Sequence, residues 1–541
     1  MSGAPDTLHR PAGSTLYPTG AAAPLALRGW LGRADERDGM MLAALLALYF
    51  AMMALIGLDR AYIGHHENDF VKFFIPEALR LLAGEPLQSR WHPPLYAIVL
   101  AGAFRLSGDW LVAGVLLSLA SSVVVLAASY ALFVRLAGRA AAWGAVLTLL
   151  ASGIFVEESI RASSDAPFLA LFIGACLLAV LAWSSGARLT WALCGVVVGL
   201  SLLTRSNAPP LLLLCLAPLV AGGPLRARLG RQAAALGGLA APLLAIAVFA
   251  AATGSHLLPS SNHINLAASY FAGGEDRASA DAALAVAGRF DGVLDVLLHD
   301  PATIARTYLL DLHRLAALEF ATLIETPLYL MFLPGLFFLC VAHASRPGLL
   351  LLLVMALELL MLNLKPFESR YYLFLIPLLG AAIGEMCWRI LAFGAAHGLR
   401  RPLAAVLVGM FVIAGATAVA RAWHITRVNV AELAEVVPLA RQSIEPGALV
   451  IARKPNIGFY TAADWRFMPN LAGLDELRDD LARQDPDRAL YLYYGQVEKA
   501  YRPQYGALAD VRRAPPWLAP VAASTPPGAW ALYRYRGLRA R

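Results

Sequence analysis

Residues 64–96 read GHHENDFVKFFIPEALRLLAGEPLQSRWHPPLY, a stretch set between two long apolar runs and crowded with ionisable groups. Glu67 and Asp69 supply carboxylates, Lys72 and Arg90 supply cations, and His65, His66 and His92 titrate near neutrality. Phe70, Phe73, Phe74, Ala78, Leu81 and Leu82 recur at helical spacing, which predicts an amphipathic helix along a bilayer surface. Pro76 has no backbone N–H, so the helix starts or kinks there, with Asp69 on irregular backbone just ahead. An acid at the mouth of an apolar region, beside cations, suits chemistry on a lipid-borne substrate. A solvated loop that merely carries charge is the plainer alternative.

The rest of the chain supplies the membrane. Of 541 residues, 59% are hydrophobic and 15% charged, with a mean hydropathy of +0.61. A soluble protein of this size needs more polar surface to cover itself. The fold class is therefore a polytopic α-helical membrane protein. Its net charge of +7 does not point to nucleic acid, because the arginines gather in short clusters between apolar runs, as topology signals do. The five cysteines all lie inside apolar runs and show no Cys-x-x-Cys metal spacing. Residues 1–38 form a polar tail, too long and too mixed for a cleavable signal peptide.

Candidate spans fall at 39–58, 110–134, 140–157, 165–184, 189–204, 208–222, 232–253, 326–344, 348–364, 371–392 and 403–422, about eleven in all. The segment 93–107, PPLYAIVLAGAFRLS, is short for a span. Charge decides its placement. If it lies in the membrane plane, Arg135/Arg139, Arg188, Arg226/Arg228/Arg231, Arg346 and Arg389/Arg400/Arg401 share the side of the N-terminus, the positive-inside pattern.

With that parity, four ionisable junctions share the outer face: the opening stretch, EESIRASSDAP (157–167), TRSNAPP (204–210) and LKPFESRYY (364–372). A long loop from about 254 to 325 carries HLLPSSNHINLAASYF. Ionisable groups at a membrane boundary are a functional-site hypothesis by default. Beyond residue 424, GALVIARKP, RALYLYYG and WALYRYR read as strands and LDELRDDLARQ as a helix, so 425–541 is expected to be a small outer α/β domain. The organisation is thus a cytoplasmic tail (1–38), a transmembrane domain (39–424) and an extracytoplasmic domain (425–541).

The order of these pieces resembles the GT-C class of membrane glycosyltransferases, in its bacterial branch near the protein O-mannosyltransferases and aminoarabinose (lipid A) transferases. The resemblance rests on Asp69 followed by an aromatic-rich helix ending in Leu-x-x-Gly at Gly84, His-Pro-Pro-Leu-Tyr (His92–Tyr96), Arg-x-x-x-Asp-x-Pro (Arg161, Asp165, Pro167) and Ser-Arg-Tyr-Tyr before an apolar run (Ser369–Pro377). It covers about residues 39–425. It implies inverting transfer from a polyprenyl-phosphate-linked sugar to a glycan, lipid or protein acceptor on the outer face of the bacterial inner membrane. An acid of the first outer loop acts there as general base, which maps to Asp69; Glu67 is a second candidate. Where a basic residue often precedes Pro-Pro, this chain has His92.

Such a transfer needs a base for the acceptor hydroxyl and cations for the departing phosphate. Asp69 suits the base, and a partly apolar setting is expected to raise its pKa; an N-cap is its structural alternative. Asp165 is either a site residue or a cap, and an Arg161–Asp165 pair is one way to lock its loop. Arg205, Lys365 and Arg370, with Arg161, His92 and Tyr371, are candidates for holding lipid phosphate or sugar, against snorkelling as the alternative. Lys72 reads as a headgroup anchor. No cofactor is implied with certainty; a divalent metal on His65, His66 and Glu67 is a candidate. Asn262, His256 and His263 are candidates for sugar or acceptor contact. The rival functions are a transporter or flippase of a lipid-linked precursor, which calls for paired halves with broken helices, and a non-catalytic membrane scaffold.

Overall fold

The computed structural model describes residues 36–59, 68–88, 91–255, 261–272, 280–314, 320–364, 368–427, 431–484, 488–525 and 528–537. The chain is mostly helical. The apolar part comprises α1 (Glu36–Gly57), α2 (Ile75–Ala83), α3 (Leu95–Ser107), α4 (Trp110–Leu136), α5 (Arg139–Ala151), α6 (Gly153–Ile160), α7 (Asp165–Ser185), α8 (Arg188–Leu202), α9 (Leu212–Leu216) and α10 (Leu225–Thr253). It continues with α11 (Asn262–Phe271), α12 (Ala280–Val286), α13 (Val293–His299), α14 (Pro301–Arg314), α15 (Phe320–Leu323), α16 (Thr326–Ala342), α17 (Arg346–Leu362), α18 (Ile376–Ala396) and α19 (Arg400–Arg427).

All eleven runs expected to cross are helical, but their lengths differ. Six described helices are long and apolar enough to span a bilayer, and a seventh results if α5 and α6, bent by 68°, are one span. The break is local chemistry: Ser152 leaves the helical region and its Oγ accepts from the Phe155 N–H, capping α6. The expected span at 208–222 is short for a related reason. Its prolines divide it into 3-10 turns on either side of the five-residue α9. Helix α3 has 13 residues, about 20 Å at 1.5 Å per residue against about 30 Å of hydrocarbon. That length suits the in-plane placement.

Small residues let the helices pack closely. A Cβ added to Gly144 of α5 would collide with the backbone of Gly380 and Gly384 of α18, so these helices touch main chain to main chain. The amphipathic stretch ahead of α2 behaves as expected on one face. Phe70, Val71, Phe74, Ile75 and Ala78 are buried against Tyr96, Ala97, Leu100 and Ala101 of α3 and Ala113 and Val115 of α4. Phe70–Phe74 is a π-helical turn, and Pro76 opens α2 beyond it. π-turns are rare and recur at functional sites.

After α19 come α20 (Ala431–Ser443), β1 (Leu449–Ala452), α21 (Asn456–Tyr460), β2 (Asp464–Phe467), α22 (Leu474–Ala482), β3 (Leu490–Tyr494), α23 (Gln496–Tyr501), β4 (Leu518–Ala523) and β5 (Ala531–Tyr535). The sheet order is β2-β1-β3-β5-β4, with β1 parallel to β2 and β3, and β5 antiparallel to β3 and β4. Period-two alternation sends Val450 and Ala452 to one core, with Val436 and Val437 of α20, and Ile451 to the other, with Leu477 and Leu481 of α22. The three expected strands and the expected helix all form. β2 and β4 are additional.

Candidate active site

Asp69 stands one residue before the π-turn with helical backbone, and its side chain makes no capping hydrogen bond, so the N-cap alternative does not describe it. His92 Nε2 lies 3.2 Å from Asp69 Oδ2. The imidazole is wedged between Phe73 and Phe74, with ring centroids 5.3 and 4.8 Å away. His-Pro-Pro reaches this place because the Leu95 N–H donates to the Leu203 carbonyl (2.8 Å), tying the start of α3 to the end of α8.

The Asp69 carboxyl feels opposing influences. Burial is the largest and raises its pKa; the His92 hydrogen bond and the charges of His92, Arg370 and Lys72 outweigh it, leaving the group below the usual carboxylate range. The expected upward shift is thus reversed, because the site brings cations as well as apolar rings. Asp69 keeps a route to solvent, with its side chain 33% exposed. Lys72 is not simply a headgroup anchor. Its Nζ stands 4.8 Å from the Phe73 ring and 5.7 Å from Trp465 of β2, and burial depresses its pKa although Asp69 opposes this.

A second group surrounds Asp165, whose side chain is only 3% exposed. Arg205 Nη1 pairs with Asp165 Oδ1 and also donates to Ser164 Oγ at 3.3 Å. Arg370 Nη1 lies 3.5 Å from Asp165 Oδ2, while its Nε donates to Glu368 Oε2 at 2.5 Å. Tyr371 presents its ring to both arginines, at 5.2 and 5.3 Å. Three junctions far apart in sequence thus meet at one carboxylate. The charge of Arg370 also reaches Asp69, joining the two groups.

Arg161 goes elsewhere. It pairs with Glu157 and, at 2.6 Å, with Glu158 Oε1, so the suggested Arg161–Asp165 lock gives way to contacts one turn back on its own helix. Ser118 Oγ holds the Arg161 carbonyl at 2.6 Å, and Arg421 Nη2 lies 3.6 Å from Glu157. Glu67, Lys365, His65, His66 and His256 lie outside the described residues. Asn262 and His263 open α11. Among the described residues no group of three or more His, Cys, Asp or Glu is placed to hold a metal ion.

Sequence reasoning missed Glu368, Glu157 and Glu158 as partners of the arginines, and Lys454 of the C-terminal sheet. Phe459 of α21 packs on the cluster containing Phe70 and Phe74. The charges of Asp69 and Glu368 act on Lys454. The available signal is the segment ARKP, which closes the first strand of the C-terminal region and, with FYTAADW, resembles soluble extensions of some bacterial members of the class.

The fold is that of the GT-C class of membrane glycosyltransferases, as the ordered motifs imply. Within it, the family model for dolichyl-phosphate-mannose-protein mannosyltransferase matches residues 91–251. The structure is similar to ArnT from Cupriavidus metallidurans, solved bound to undecaprenyl phosphate, with a TM-score of 0.50 and 14% identity over 93% of this chain and 98% of that one. It is also similar to the Archaeoglobus fulgidus oligosaccharyltransferase, solved with Zn and sulfate, with a TM-score of 0.53 and 12% identity over 83% of this chain and 68% of that one. No curated protein matches in sequence.

Proposed function

We propose that this chain is an inverting glycosyltransferase that moves a sugar from a polyprenyl-phosphate donor to an acceptor at the outer face of the bacterial inner membrane. The observation that carries this reading is the meeting of Asp69, His92, Asp165, Arg205 and Arg370, drawn from separate junctions, within a GT-C fold. The protein O-mannosyltransferase model over 91–251 and the likeness in fold to ArnT support a lipid-linked donor.

The acceptor oxygen attacks the anomeric carbon as the bond from that carbon to the phosphate oxygen breaks. The acceptor proton passes to Asp69, which is ionised at neutral pH and reachable from solvent. Negative charge grows on the departing phosphate, and Arg370 and Arg205 stabilise it through their planar forks. Asp165, held by both, acts as a positioning residue that fixes those forks. His92 orients Asp69 and Tyr371 backs the two guanidiniums. Residues 39–424 form the catalytic part, and 425–541 lies on the outer side above it.

Mass spectrometry of envelope glycolipids and glycans from cells with and without the protein tests this reading. One sugar modification missing from the deletion strain, with its polyprenyl-phosphate donor accumulating, is the expected result. Identical glycolipids, together with flipping of a lipid-linked precursor by reconstituted protein, would replace it with the transporter reading.

A further inference from the structure

The segment Arg453-Lys454-Pro455 follows β1 and leads into α21. Its first residue is anchored within the C-terminal sheet region. The Arg453 N–H donates to Glu498 Oε1 at 2.8 Å, and its guanidinium carbon sits 3.5 Å from the centroid of the Tyr501 ring. Glu498, which lies in α23, also accepts from the Gly495 N–H at 3.1 Å, so the carboxylate that holds the turn is itself fixed at the start of its own helix. From that turn the chain runs directly to the membrane part, with Phe459 against the Phe70–Phe74 cluster and Trp465 over Lys72.

The segment carrying Lys454 is therefore fixed beside the Asp69 site, near enough for the charges of Asp69 and Glu368 to act on it. The two site acids that act on it, Asp69 and Glu368, come from different junctions, and each already has a partner: His92 for Asp69, Arg370 for Glu368. An additional ammonium in a desolvated place is costly unless an anion accompanies it. At Lys454 burial and the neighbouring Arg453 charge outweigh the attraction of Asp69, Glu498 and Glu368, and at Lys72 burial outweighs that of Asp69, so both pKa values are depressed. A bound anion beside Lys454 would offset that cost.

Resting on the glycosyltransferase reading above, we infer that Lys454 is a substrate-binding residue contributed by the C-terminal sheet, contacting the phosphate of the polyprenyl-phosphate carrier opposite Arg370. The C-terminal region then completes the binding site and does more than decorate the enzyme. Lys454 acts as a point charge where the arginines act as forks.

The test is binding of undecaprenyl phosphate, and of the uncharged alcohol undecaprenol, to the full chain in nanodiscs. Lys454→Met should weaken the phosphate by roughly ten- to a hundredfold and leave the alcohol unchanged. Lys454→Arg should recover most of the loss. A purely structural lysine would change both ligands alike or neither. Wild-type affinity for undecaprenyl phosphate in Lys454→Met, with unaltered melting, overturns this inference and leaves the glycosyltransferase reading standing. If the wild-type protein binds alcohol and phosphate equally, the polyprenyl-phosphate reading itself fails, and this inference with it.

Discussion

His92 Nε2 stands 3.2 Å from Asp69 Oδ2, its ring pressed between Phe73 and Phe74. The contact sets the charge of the acid proposed as base. Because the net influence holds Asp69 below its ordinary value near 3.9, the group is ionised throughout the neutral range. Activity should therefore fall on the acid side only as pH drops below the usual carboxylate range. Removing the imidazole with His92→Ala leaves burial less opposed, so the Asp69 pKa rises and the acid limb of kcat/KM moves to higher pH. An unmoved acid limb would detach His92 from Asp69.

The lysines give the opposite limb. Lys72 and Lys454 are depressed below the usual value near 10.4 because burial disfavours their charged forms. Each is charged below its own pKa, and because Lys454 is the proposed phosphate contact, affinity for polyprenyl phosphate should fade as pH rises through a value below the ordinary lysine range. The same depression means that folding disfavours the protonated lysine, and this contribution to stability improves as pH rises. Titrating phosphate affinity in wild type and in Lys72→Met separates the two lysines.

Asp165 is clamped by Arg205 and Arg370, and its side chain is nearly inaccessible. Breaking a buried pair strands charge, at about 3–5 kcal/mol. Asp165→Ala should accordingly lower the melting temperature as well as activity. Arg205→Lys removes the planar fork but keeps the charge, so it should weaken donor binding while costing much less stability. Equal melting for Asp165→Ala and wild type would show that the clamp is not a structural element.

Gly144 lies against the backbone of Gly380 and Gly384. Any larger residue forces α5 and α18 apart, and overpacking of this kind typically costs about 1–3 kcal/mol. Gly144→Leu should lower melting temperature without changing the pH profile, since the substitution leaves Asp69 and its partners in place. A shifted pH profile would tie this helix contact to the site.

Much of this was legible in the chain because its signals are local. Alternation in Leu449–Ala452 and Leu490–Tyr494 marked strands, and Asp69, His-Pro-Pro and Ser-Arg-Tyr-Tyr marked segments that the fold brings to the candidate site. What escaped depends on contacts between distant segments. Nothing near Arg161 says that it turns back to Glu157 and Glu158 while Arg205 and Arg370 take Asp165. Hydropathy likewise counted 140–157 as one span, blind to the bend that Ser152 introduces. The direction of the Asp69 shift failed for a similar reason. Apolar neighbours are visible in sequence, whereas only the fold brings His92 into hydrogen-bonding distance of Asp69 and adds the Arg370 charge from some three hundred residues later.

The most direct measurement is single-turnover transfer by purified wild-type and Asp69→Asn protein, using the polyprenyl-phosphate sugar identified in the deletion strain, with donor binding followed in parallel. Asp69→Asn should bind the donor nearly as well as wild type and transfer sugar at least about 10²–10⁴ times more slowly, and the wild-type product should carry the inverted anomeric configuration. Transfer at the wild-type rate by Asp69→Asn, or a retained configuration in the product, would contradict the account.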